Sequence, residues 1–147
     1  MNYSQVAASY RTANETVQKT RQVVLLYDAV IRFLQQSKQA IEAQEYEKRL
    51  NLLQKASNIL MGLNSALDFE NGGEISEMLS NFYNAMDLRI LTLNRTNSLE
   101  DLEKIIREIK TMRDAWDQID IQNKEGNIKP EVKTVLPENT NNSDFSA

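Results

Sequence analysis

The chain has 147 residues, 41% of them apolar, enough for one domain around a single core, and its net charge of −4 comes from 17 basic residues interspersed among 21 acidic ones. That balance excludes the clustered basic surface that nucleic acid requires and reads instead as a solvated exterior. Cysteine and histidine are both absent, which removes disulfides, zinc thiolates, thiol nucleophiles, the commonest general base and the Glu-x-x-His motif of di-iron bundles.

No catalytic, cofactor-binding or metal-ligating residue is assigned, and no enzymatic activity is expected. Both prolines, Pro130 and Pro137, lie near the C-terminus, and a long stretch without proline favours helices over a turn-rich β fold. The fold class read from this is all-α: an antiparallel, up-down four-helix bundle with a short N-terminal arm and a disordered C-terminal tail. The longest apolar run, Val23 to Tyr27, is far below the ~20 residues of a membrane span. The N-terminus lacks the basic region and apolar core of a secretory signal, so a soluble, cytoplasmic protein is expected.

Residues 1–15 are small and polar, punctuated by Tyr3, Val6 and Tyr10. Steps of three and four give these a common helical face, so the arm can fold as a short helix that extends the core or lies over an apolar groove. A first long helix is predicted over about 16–43, with Thr16 or Thr20 as its N-cap and Val23, Tyr27, Val30, Leu34, Ser37 and Ile41 as its seam. A second covers about 47–69, with Leu50, Leu53, Ser57, Leu60, Asn64 and Leu67 inward, closed by Asn71-Gly72-Gly73. A third runs over about 74–94, with Glu74 and Glu77 in its first turn and Ile75, Leu79, Phe82, Met86 and Leu93 on its face.

Ser98, three residues before Asp101, is the predicted N-cap of a fourth helix over about 99–121. Its seam is Leu102, Ile105, Ile109, Met112, Trp116 and Ile119. The remaining stretch, 122–147, is rich in Asn, Lys, Glu, Ser and Thr, holds both prolines and shows no sustained period.

A bundle helix needs one apolar stripe, and helices one to three carry more. On helix two, Leu52, Ala56, Ile59, Leu63 and Ala66 form a second stripe beside the seam. Leu25 on helix one, and Leu88 and Leu91 on helix three, point away from their seams. Two accounts remain open: a wide arc of ordinary core, or a groove for an amphipathic helix of a partner.

Particular segments resemble those of one family. LLYDAVIRFL (Leu25 to Leu34), LDFENGGEIS (Leu67 to Ser76), NFYNAM (Asn81 to Met86), MRDAW (Met112 to Trp116) and the opening NYSQVAASY (Asn2 to Tyr10) occur in the order and spacing of FliS-family flagellin export chaperones. The sequence departs from that pattern at Gln18 to Gln22, where the family usually has Ser-Pro-Glu-Lys-Leu, at Ala29, and at Asn84 and Ala85.

The resemblance implies a four-helix bundle that, without ATP or cofactor, binds the C-terminal region of newly made flagellin. It implies that flagellin is thereby kept unpolymerised and delivered to the flagellar type III export gate. It further implies that the arm, with Tyr3, Val6 and Tyr10, covers part of the apolar surface, and that the free protein is mainly monomeric. The residues singled out for partner binding are Tyr3, Val6, Tyr10, Leu25, Leu52, Ile59, Leu63, Leu88 and Leu91. The alternative is a helical adaptor or scaffold that self-associates or binds another secretion partner.

Overall fold

The computed structural model describes the backbone of residues 3–125 and the side chains of residues 19–125. Four helices account for almost all of it: α1 (Tyr3–Glu42), α2 (Tyr46–Ser65), α3 (Phe69–Thr96) and α4 (Leu99–Lys124). The all-α reading therefore holds, but several boundaries move. The first glycine stands at position 62, so nothing in the opening stretch interrupts a helix. Accordingly α1 begins at Tyr3 and runs 40 residues, the stretch expected as an N-terminal arm or short helix forming its first turns. Thr20 is no cap: it is buried inside α1 and donates to Asp120 of α4 at 3.3 Å.

The turn into α2 is a left-handed closure. Gln44 takes φ 59°, and the Glu45 N–H reaches back to the Ala40 carbonyl at 2.8 Å. α2 stops at Ser65, earlier than the glycine pair suggests, because Asp68 has already capped the next helix. The Asp68 carboxylate accepts from the Asn71 backbone N–H at 3.0 Å and from its side-chain amide at 2.6 Å. Gly72 and Gly73 consequently sit inside α3, where Gly73 (φ 50°, ψ −124°) kinks it. Asn97, at φ 53°, closes α3, and the Ser98 hydroxyl accepts from the Asp101 N–H at 3.1 Å to open α4, as its spacing predicts.

α1 packs against α2 and α4, and α2 against α3, while α3 and α4 meet more sparsely, so α1 and α3 stand diagonally in the bundle. The α1–α4 seam is marked by polar pairs at three levels: Thr20 with Asp120, Asp28 with Arg113 at 2.8 Å, and Lys38 with Glu103 at 2.9 Å. Residue number rises on one helix as it falls on the other, which fixes them antiparallel. α4 extends to Lys124, and Asn123, expected within the disordered tail of 122–147, is buried and donates to Thr20 at 3.4 Å. The rest of the expected tail, 126–147, lies outside the described residues.

The predicted α4 seam is buried at all six positions. In α1 the core comprises Val24, Tyr27, Val30, Ile31, Leu34, Ala40 and Ile41, with Val23 at its margin. In α2, Leu53, Ser57 and Leu60 are inward, but Leu50 is exposed and Leu52 takes its place. In α3 the inward aromatic is Tyr83, with Phe82 beside the core, and Ile90 is buried as well.

Across the diagonal, the hydroxyls of Tyr27 and Tyr83 meet at 2.8 Å, with Trp116 of α4 beside Tyr27. Burial raises both phenols: Tyr83 is pushed up to about 12 and Tyr27 well above the ordinary 10.0. In the unfolded chain these groups lose their protons near pH 10, while the folded bundle retains them. Their contribution is thus complete below pH 10 and is lost as pH rises through the folded values. Urea melts across alkaline pH are expected to show stability falling above pH 10, with a shallower fall in the double variant Tyr27→Phe, Tyr83→Phe; identical slopes would mean other groups govern the alkaline limit.

Candidate functional site: an apolar cleft and outward leucines

Gly62 lies three residues after Ile59, and Ala66 one turn further on, so α2 presents a gap between the bulky Ile59, Leu63 and Leu67. A side chain at Gly62 would meet nothing within 4 Å. α1 faces this gap with Lys19, Gln22, Val23 and Leu26, and the first turns of α3 close its end with Asn71, Gly72 and Ser76. The result is an open cleft of about 580 Å³ whose wall includes Leu79, Tyr83 and Trp116. The hydrogen-bonded aromatic centre of the bundle is therefore also part of the lining of its cleft.

The α3 kink shapes the rim. The Ser76 hydroxyl donates to the Asp68 carbonyl at 2.8 Å, and a Cβ at Gly72 would collide with the Ser76 hydroxyl oxygen. Glycine there lets the first turn fold tightly under the cleft. The two hydrogen bonds from Asn71 hold the Asp68 carboxyl below the usual carboxylate range, so the rim carries a fixed negative charge opposite Lys19.

The residues singled out in the sequence fall into three groups. Ile59 and Leu63 line the cleft; Leu63 is 8% exposed and belongs to the core cluster as well. Leu52 is 7% exposed and does not line the cleft, so within the second stripe of α2 it supplies core. Leu25, Leu88 and Leu91 are 50%, 68% and 39% exposed, away from the cleft lining, with Leu88 and Leu91 one turn apart on the outer face of α3. Tyr3, Val6 and Tyr10 stand on the first turns of α1, and their side chains lie outside the described residues.

Sequence reasoning missed Leu26 and Gly62, although Gly62 followed by Ala66 at i+4 was a readable sign of a gap. Leu26, Leu50, Tyr46, Phe69 and Ile121 add further outward apolar surface. Among the described residues no group of acidic side chains is placed to hold a metal ion, and no helix is long and apolar enough to cross a membrane.

A helical scaffold with an apolar cleft, outward leucines and mostly polar surroundings has the physical character of a surface for capturing amphipathic chain. Comparison with known proteins gives that class a family. The sequence model described as Flagellar protein FliS matches residues 2–123. The chain is 30% identical over 118 residues to the flagellar secretion chaperone FliS of Salmonella typhimurium, covering 80% of this chain and 86% of the relative. It is 27% identical over 118 residues to the FliS of Campylobacter jejuni (80% and 87%) and 33% identical over 97 residues to that of Vibrio cholerae (66% and 71%). The chain belongs to the FliS family of flagellar secretion chaperones, a class that is not enzymatic.

Burial separates the leucines energetically. Leu63→Asp places an unpaired carboxylate against the core and is expected to cost about 3 kcal/mol or more, whereas Leu88→Asp should stay within about 0.5 kcal/mol of the parent. Gly62→Ala, in open space on a helix, should gain about 0.5–1 kcal/mol. Urea denaturation of the three variants checks the ranking; a large loss in Leu88→Asp would place that side chain in the core.

Proposed function

We propose that the chain binds the C-terminal segment of flagellin in the cytoplasm, keeps it from polymerising and delivers it to the flagellar type III export apparatus without ATP or cofactor. The observation that carries this reading is the 580 Å³ apolar cleft on a member of a secretion-chaperone family. Flagellar secretion supplies the partner class, and the cleft supplies the means of holding it.

Attraction would come mainly from burying apolar side chains of the partner, about 25 cal/mol for each Å² removed from water. Part of that is offset by ordering a segment that has no fixed structure before it binds. Partner side chains in the cleft would rest against Leu26, Ile59, Leu63 and Leu67, while Leu25, Leu88 and Leu91 would extend the contact over the outside of the bundle. Such an arrangement binds an extended or helical chain without a single catalytic group, and occupancy of the partner's own assembly surface suffices to block polymerisation.

Calorimetry with a flagellin C-terminal fragment is expected to show binding by the parent chain. Gly62→Leu, which fills the cleft without disturbing the core, should weaken it by about tenfold or more, equivalent to about 1.4 kcal/mol. Leu88→Asp should weaken it too if the partner reaches the outer face of α3. Absence of binding by the parent overturns the reading, as would light scattering that shows a stable dimer with the cleft and outward leucines sealed between copies.

A further inference from the structure

Asparagine followed by glycine is the pair most open to attack by the chain on its own side-chain amide, because no Cβ on the second residue shields its nitrogen. The sequence holds one such pair, Asn71-Gly72. The fold puts it in the first turn of α3, on the lining of the cleft, with Asn71 exposed to water.

The reaction needs only the chain and water. The Gly72 backbone nitrogen, its proton lost to hydroxide, attacks the side-chain carbonyl carbon of Asn71. The new N–C bond closes a five-membered succinimide as the bond to Nδ2 breaks, and ammonia leaves with a proton taken from water. A water molecule then opens the ring at one carbonyl or the other, giving aspartate or isoaspartate.

One residue holds the groups this reaction must move. The Asn71 Nδ2 leaving group donates to the Asp68 carboxylate at 2.6 Å, and the Asn71 backbone N–H donates to the same carboxylate at 3.0 Å. The Gly72 N–H, which has to give up its proton, donates to the Asp68 carbonyl at 2.8 Å. That carbonyl also accepts from the Ser76 hydroxyl. The helical backbone at Asn71 keeps the Gly72 nitrogen away from the side-chain carbon, so the ring closes only after this turn opens. Opening can stay local, since the kink at Gly73 separates residues 69–72 from the rest of α3.

We propose that Asn71-Gly72 is a deamidation site that Asp68 holds shut, so that the modification records how often the start of α3 opens. Conversion removes the amide donor to Asp68 and adds a second carboxylate at the same rim of the cleft. As isoaspartate it also lengthens the backbone by one methylene beside Gly72. The site and its guard do not depend on what the cleft binds.

The test incubates the full-length chain, folded and unfolded in guanidinium, and follows the peptide carrying residue 71 by mass spectrometry. Conversion is expected to be about tenfold or more slower in the folded parent, and Asp68→Ala, which removes the cap, should speed it about fivefold. Ser98→Ala takes the same kind of cap from α4 and should leave the rate at Asn71 unchanged. Equal rates in the folded and unfolded parent overturn the proposal, as does an Asp68→Ala rate no higher than the parent's. So does a rise in Ser98→Ala as large as that in Asp68→Ala, which would trace conversion to unfolding of the whole bundle.

Discussion

Two phenol hydroxyls meet across the diagonal of the bundle, and most of the architecture is arranged around them. Tyr27 of α1 and Tyr83 of α3 belong to helices that do not pack side by side, so their hydrogen bond ties together the corners that helix packing alone leaves apart. Trp116 of α4 stands beside Tyr27 at the same point. A polar pair in an apolar interior is tolerated only when its partners are in place, and that demand fixes the relative depth of α1 and α3. The antiparallel α1–α4 polar pairs then set the register along the axis. α2 contributes no group to the aromatic contact, and it is α2 that carries the gap at Gly62 and Ala66. The cleft forms where the bundle is filled least, directly over its most constrained contact.

The part of the fold legible in the sequence was the part governed by local chemistry. α4 has one apolar stripe, a serine cap and few competing signals, so its seam and first residue could be read directly. The start of α1 could not, because Thr20 has the composition of a cap and is used as a tertiary hydrogen-bond donor to a residue one hundred positions away. The glycine pair at 72 and 73 looked like a helix end and serves as a kink, since the Asp68–Asn71 cap had already begun the helix. In α2, where two neighbouring helices demand a wide apolar arc, periodicity could not decide between Leu50 and Leu52. Burial against α1 and α3 chose Leu52.

The same contrast runs through the candidate site. Leu25, Leu88 and Leu91 could be picked out because each breaks a polar face, a property of sequence alone. A cleft is made by absence of side chain, so Gly62 and Ala66 gave a weaker signal than any leucine. Leu63 shows why stripes cannot be sorted into core or groove by period: it belongs to both. Family membership joins the chain to flagellar secretion.

The two ends of the bundle are chemically unlike. At one end, the Arg49 guanidinium donates to the Asn97 side chain at 2.6 Å and sits over the Tyr46 ring, joining the start of α2 to the α3–α4 turn. Beside it lies the equally tight turn at Gln44. At the other end lie the cleft, the kinked start of α3, the last turn of α4 and the direction from which α1 arrives. For anyone attaching fluorophores or affinity handles, the tight turns around Gln44 and Asn97 offer anchor points at the end of the bundle away from the cleft.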